Sequence, residues 1–180
     1  MSAPILSVQG LDKSFGGLRA VADVSFELGD EHVLGIIGPN GSGKSTLINL
    51  LTGILPWDRG DVRFGGRSIA GLRPHKIFRL GLSRTFQTTR VFPELTVREN
   101  LEIAAWNRGL GRLEADAQIE SMNLSGLGDL TATHLSYGDR KLLELGMALM
   151  GNPAVVMLDE PLAGVHDTVV RRVAEVVRAT

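Results

Sequence analysis

Gly38-Pro39-Asn40-Gly41-Ser42-Gly43-Lys44-Ser45 matches G-x-x-x-x-G-K-[ST], and its flanks supply the context that pattern requires. Upstream, Val33-Leu34-Gly35-Ile36-Ile37 is continuously apolar, which predicts a strand buried on both faces. Downstream, Leu47, Ile48, Leu50 and Leu51 recur at helical spacing, so a helix is expected from about Lys44, with Gly53 at its end. Strand, glycine loop and helix N-terminus together form an anion cradle. Glycines let backbone N–H groups converge on phosphate oxygens, and the helix dipole adds favourable field at the same place. In that cradle Lys44 is expected to reach the β- and γ-phosphates of ATP, and the Ser45 hydroxyl to ligate Mg²⁺. Gly38, Pro39, Asn40, Gly41, Ser42, Gly43 and the adjoining Thr46 complete the nucleotide-binding set.

A second apolar run, Val155-Val156-Met157-Leu158, ends in Asp159-Glu160, the form of a Walker B segment. Asp159 is expected to hold the metal and Glu160 to polarise the attacking water. Around these two strands the pattern alternates. Residues 20–28 and 5–8 read as an antiparallel edge, and residues 60–71 as a glycine-rich stretch. A short helix should open at Pro74, and a strand is expected over 82–86. Thr96-Val97-Arg98-Glu99 has capping-box spacing, which starts a helix running towards Arg108. Further helices are expected over 114–122, over 136–150 with Gly151-Asn152-Pro153 as the stop, and over 167–178. The predicted class is α/β: a P-loop parallel sheet core over residues 1–95 and 152–180, an antiparallel edge, and an inserted helical subdomain over about 96–151.

Composition narrows the partners. The 180 residues carry 19 lysines and arginines against 20 acidic residues, so no basic excess draws the chain onto nucleic acid or anionic lipid. With no cysteine there is no disulfide framework, thiolate zinc site or cysteine nucleophile, which suits an intracellular protein. No apolar stretch approaches the roughly 18 residues of a membrane span, and Met1-Ser2-Ala3-Pro4 does not resemble a signal peptide.

Leu135-Ser136-Tyr137-Gly138-Asp139 closely resembles the Leu-Ser-Gly-Gly-Gln signature of ABC ATPases, and it lies upstream of the Asp-Glu strand as it does in them. By its residues the segment is a helix start, with Ser136 and Asp139 spaced as a capping box. The resemblance implies a second role, with Ser136 and Gly138 facing the γ-phosphate of ATP held by a partner subunit. It also implies that Phe15 stacks on adenine. Gln87, in Arg84-Thr85-Phe86-Gln87, would reach the metal and the attacking water and sense a permease. Ala163-Gly164-Val165-His166 would contact the opposing subunit. Phe15-Gly16-Gly17-Leu18, Ser83-Arg84-Thr85-Phe86-Gln87 and Phe92-Pro93-Glu94-Leu95-Thr96-Val97-Arg98-Glu99-Asn100 resemble the ATP-binding subunits of branched-chain amino acid importers.

That family implies an ATPase whose catalytic residues are Glu160, Gln87 and Lys44, with Ser45, Gln87 and Asp159 on the metal. It would work as a homo- or heterodimer on the cytoplasmic face of a membrane, coupled to permease subunits and through them to a solute-binding protein. Two rivals are an ATP-binding module that dimerises without hydrolysis and a soluble ABC ATPase of translation or DNA repair. None of His32, His75, His134 and His166 occupies the family's switch position, and the interval from Asn100 to Leu135 is short for these relatives. Both features suit residues drawn from a longer natural protein, an expectation that an intact mass near 19.4 kDa would count against. Asp139 stands where glutamine is usual, which places negative charge near the partner's phosphate unless the carboxylate turns into the cap.

Overall fold

The computed structural model describes residues 3–29, 33–106, 109–161 and 166–179. They fall into two compact units, Met1–Leu80 and Gly81–Thr180.

The first unit is built on a hairpin. Strands β1 (Leu6–Phe15) and β2 (Leu18–Leu28) pair antiparallel with Leu6 opposite Leu28 and Val8 opposite Phe26. The predicted edge is therefore present and longer than its alternating pattern. After helix α1 (Lys44–Leu51), the glycine-rich stretch turns out to hold strands β3 (Arg59–Phe64) and β4 (Arg67–Ser68). The sheet order is β2-β1-β3-β4. Val62 and Phe64 alternate into the core opposite Val8 and Leu6, a two-residue period too short to stand out among glycines. Helix α2 (Pro74–Leu80) starts at its proline, where no N–H is required, and buries Ile77. As expected, α1 buries Leu47, Ile48, Leu50 and Leu51. Gly53 follows in the left-handed region, where a Cβ would lie 2.7 Å from the Leu72 carbonyl oxygen.

Residues 33–37 correct the sequence reading. They form no strand, and Ile37 is 95% exposed. A run apolar on every side becomes a central strand only if neighbours accept and donate its backbone hydrogen bonds and cover both faces. Among the described residues no strand pairs with it.

The second unit opens with β5 (Leu82–Arg84), which pairs in parallel with β6 (Val155–Met157) in the register Leu82 to Val155 and Arg84 to Met157. Both strands are shorter than predicted, and β6 is half-buried rather than enclosed. Helices α3 (Val97–Trp106), α4 (Arg112–Ser121), α5 (Tyr137–Leu149) and α6 (Asp167–Ala179) supply the core, with a 3-10 turn at Ala132–His134. Leu101, Ile119, Leu124, Leu142, Leu143 and Val173 meet there. Asn100, fully buried in α3, accepts the Phe92 N–H at 2.7 Å and donates to the carbonyls of Phe92 and Thr96. That polar plug holds the 92–96 loop and explains an amide in an apolar face. Among the described residues no helix is long and apolar enough to cross a membrane.

The predicted capping box forms: Glu99 accepts from the Thr96 N–H at 2.8 Å, and the Glu99 N–H donates to the Thr96 hydroxyl. The Thr96 N–H foremost, and then the Thr96 hydroxyl, which donates to the same carboxylate oxygen at 2.9 Å, hold the Glu99 carboxyl below its usual 4.5. Asp58, bonded first by the Lys13 ammonium and then by the Ser14 N–H, is likewise held below 3.8. A depressed folded-state pKa stabilises fully above the unfolded value and loses that contribution as pH falls through the folded one. Thermal stability should therefore be flat down to about pH 5 and decline on acidification below the ordinary carboxylate range, followed by melting across a pH series. Replacing Glu99 with Gln should shrink the decline.

Candidate functional site

The phosphate loop sits in the first unit, between the exposed 33–37 segment and α1. Ser42 N–H donates to the Pro39 carbonyl at 3.2 Å to close a turn, and the Leu47 N–H takes the Gly43 carbonyl at 2.8 Å as the first helical bond. Gly43 caps α1 at φ 93° with no side-chain cap, so no cap side chain occupies the first-turn amides. The Lys44 ammonium curls back over the loop and donates to the carbonyls of Gly38 and Pro39, 2.9 Å each. Neutral carbonyls hold an ammonium less strongly than phosphate oxygens would, so the charge is parked where an anion can claim it.

Gly43 also lies against β2, where a Cβ would collide with the Ala20 carbonyl oxygen. Replacing Gly43 with Ala should misplace the loop, since a left-handed conformation alone costs a non-glycine residue roughly 1–3 kcal/mol. The expected result is lost nucleotide affinity, measured by titration calorimetry. Phe15 ends β1 at the tip of the same hairpin, paired with Leu18 two residues before Ala20. It is 46% exposed, with the Lys13 ammonium 5.6 Å from its ring centre. An unburied aromatic on the hairpin whose second strand backs the loop is available for stacking.

In the second unit the parallel register does the assembling. Arg84 is level with Met157, so three residues further on Gln87 and Glu160 leave the carboxyl ends of adjacent strands together. Gln87 Nε2 donates to Glu160 Oε2 at 3.3 Å. Glu160 holds φ 49°, a left-handed backbone uncommon for a residue other than glycine or asparagine. Asp159 is buried, with Arg84 Nη2 3.5 Å from its Oδ2. Burial lowers the Arg84 pKa against the opposing pull of Asp159, although a guanidinium stays charged. Phe86 lies between two guanidinium groups, Arg84 at 4.5 Å and Arg90 at 4.3 Å from its ring centre.

Ser136 caps α5: its hydroxyl accepts the Asp139 N–H at 3.1 Å and donates to Asp139 Oδ2 at 2.7 Å. The Asp139 carboxylate is thus turned into the cap. Gly138 packs on α6, where a Cβ would lie 2.6 Å from Val169 Cγ2. Packing accounts for that glycine whether or not a ligand approaches. Ala163, Gly164 and Val165 lie outside the described residues. The His166 carbonyl accepts the N–H groups of Val169 and Val170 at the start of α6. Sequence reasoning missed Lys141 and Glu144, both buried in α5. The available signal was two charges three residues apart within a helix otherwise rich in apolar side chains.

A glycine loop with its lysine folded over the phosphate position defines a P-loop nucleotide-binding protein. The sequence profile of the ABC transporter family matches residues 21–163, and the chain belongs to that family. It is 40% identical to the high-affinity branched-chain amino acid transport ATP-binding protein BraF of Pseudomonas aeruginosa, over 92% of this chain and 72% of that protein. It is 41% identical to the probable branched-chain amino acid transport ATP-binding protein LivG of Methanocaldococcus jannaschii, over 89% and 69%. Among solved structures it resembles an ATP-binding cassette of an ABC transporter in its ADP conformation, with TM-score 0.84 and 36% identity over 98% of this chain and 76% of the other. A nucleotide-free cassette gives TM-score 0.85 at the same identity, over 98% and 77%. As an ABC ATPase the chain binds and hydrolyses ATP.

Proposed function

We propose that this ATPase energises branched-chain amino acid import through a separate permease, to which it attaches peripherally on the cytoplasmic side. The cargo is supported by the names of its relatives, and the chemistry by one observation above all: the Gln87 amide donating to the Glu160 carboxylate at the ends of two parallel strands. In this reading the loop amides and Lys44 hold the β- and γ-phosphates, Phe15 stacks on adenine, and Glu160 takes a proton from the attacking water as Gln87 aligns it.

Magnesium suits hard oxygen donors, which the second unit offers in the Asp159 carboxylate and the Gln87 amide oxygen and the first unit in the Ser45 hydroxyl. Bound there, it would neutralise charge on the phosphates. Ser136 and the α5 amides at Gly138 would serve ATP held by a second ABC subunit, with α3 to α5 forming the helical subdomain that presents them. ATP would then favour the closed pair and hydrolysis release it.

Reconstitution with the permease and a binding protein tests this. ATP-dependent uptake of leucine, isoleucine and valine, with phosphate released in step, is the expected result. Release without uptake of these amino acids would reject the cargo.

A further inference from the structure

None of the roles above uses Lys141 or Glu144, yet both are charged and only 5% and 4% exposed. Glu144 Oε1 accepts the Phe86 N–H at 3.1 Å and the Arg90 N–H at 3.2 Å. Lys141 Nζ donates to the Gln87 carbonyl oxygen at 3.3 Å and lies 3.6 Å from Glu144 Oε2. Further along the helix, the Ala148 carbonyl accepts the Ser83 hydroxyl at 2.6 Å. Positions 141, 144 and 148 share one face of α5. They lace it, in antiparallel order, to the segment from Ser83 to Arg90.

A buried ion pair is seldom the most stabilising way to fill such a space, since apolar residues of similar volume often do as well or better. Its contribution here is to position a backbone. The hydrogen bonds it makes outside α5 go to main chain between Phe86 and Arg90, the stretch that carries Gln87, and Gln87 is the residue that meets Glu160.

We propose that Lys141 and Glu144 are positioning residues. They fix the main chain from Phe86 to Arg90 so that the Gln87 side chain is presented to Glu160, and they make the placement of α5 a condition for assembling that pair. The helix begins at Ser136 and Gly138, within about 8 Å of axial rise from Lys141, so a displacement at its N-terminus reaches the Gln87 backbone along one rigid element. The proposal rests on the reading of Gln87 and Glu160 as hydrolytic residues.

The test uses the protein purified with its permease subunits. Glu144→Ala removes the acceptor for both amides, whereas Glu144→Gln keeps a carbonyl oxygen in the same place. Glu144→Ala should lower kcat for ATP by roughly 10- to 100-fold, the scale for a misplaced catalytic group, with KM unchanged. Without nucleotide, its Phe86 and Arg90 amides should exchange hydrogen faster than in the parent, and Glu144→Gln should restore most of both properties. If Glu144→Ala does not fold, the double variant Lys141→Met with Glu144→Gln carries the test, because it buries no unpaired charge. It should keep both amides protected and still lose kcat, since the Gln87 carbonyl has lost its donor.

Parental kcat in Glu144→Ala or in the double variant, or a loss confined to KM, overturns the proposal. Glu160→Gln is run alongside: full turnover there would strike the reading of the hydrolytic pair instead.

Discussion

Glu160→Gln should leave nucleotide binding intact and cut ATP turnover by roughly 10²–10⁴-fold, the range for losing a general base. Volume and shape barely change. The new amide can still offer an oxygen to Gln87 Nε2, now 3.3 Å from Glu160 Oε2, so the local geometry survives while the proton acceptor is lost. Backbone conformation argues the same way, because both residues face the same φ of 49° at that position. Phosphate release at saturating magnesium-ATP measures the effect. Turnover equal to the parent would remove Glu160 from the general-base role.

Lys44→Ala should abolish useful ATP binding and lower turnover by about 10²–10³-fold, the scale for removing one donor aimed at developing charge. The ammonium is held over the loop by its bonds to the Gly38 and Pro39 carbonyls, where the proposed reading puts the phosphate oxygens. The substitution also removes that internal brace, but alanine favours helix at the first position of α1 and the side chain is not buried. The melting temperature should therefore change little. Equal affinity for magnesium-ATP in variant and parent would overturn the phosphate-loop assignment and the transport reading with it.

Much of the site was readable because its devices are local. A glycine loop between an apolar run and a helix start, a Ser-x-x-Asp cap and a Thr-x-x-Glu cap each join groups within a few residues. The caps formed as expected at Ser136 and Thr96. Where local pattern was weak, the reading failed. Val62 and Phe64 alternate over too short a span to announce β3 among glycines, and β5 stops short of Phe86 because, after the Thr85 N–H has bonded the Met157 carbonyl, the Phe86 N–H goes to the Glu144 carboxylate of α5.

By itself, then, the sequence determined the helix starts, the antiparallel edge and the family, since each depends on residue type and near spacing. Tertiary structure decided two things that spacing could not. It left residues 33–37 outside any described sheet, because an apolar run becomes a strand only when distant segments complete its hydrogen bonds. It also brought Lys141 and Glu144 onto backbone 54 to 58 positions earlier, a match that arises only when α5 packs against the end of β5. Charges that look solvent-facing in a linear pattern become buried partners once packing chooses which face of the helix turns inward.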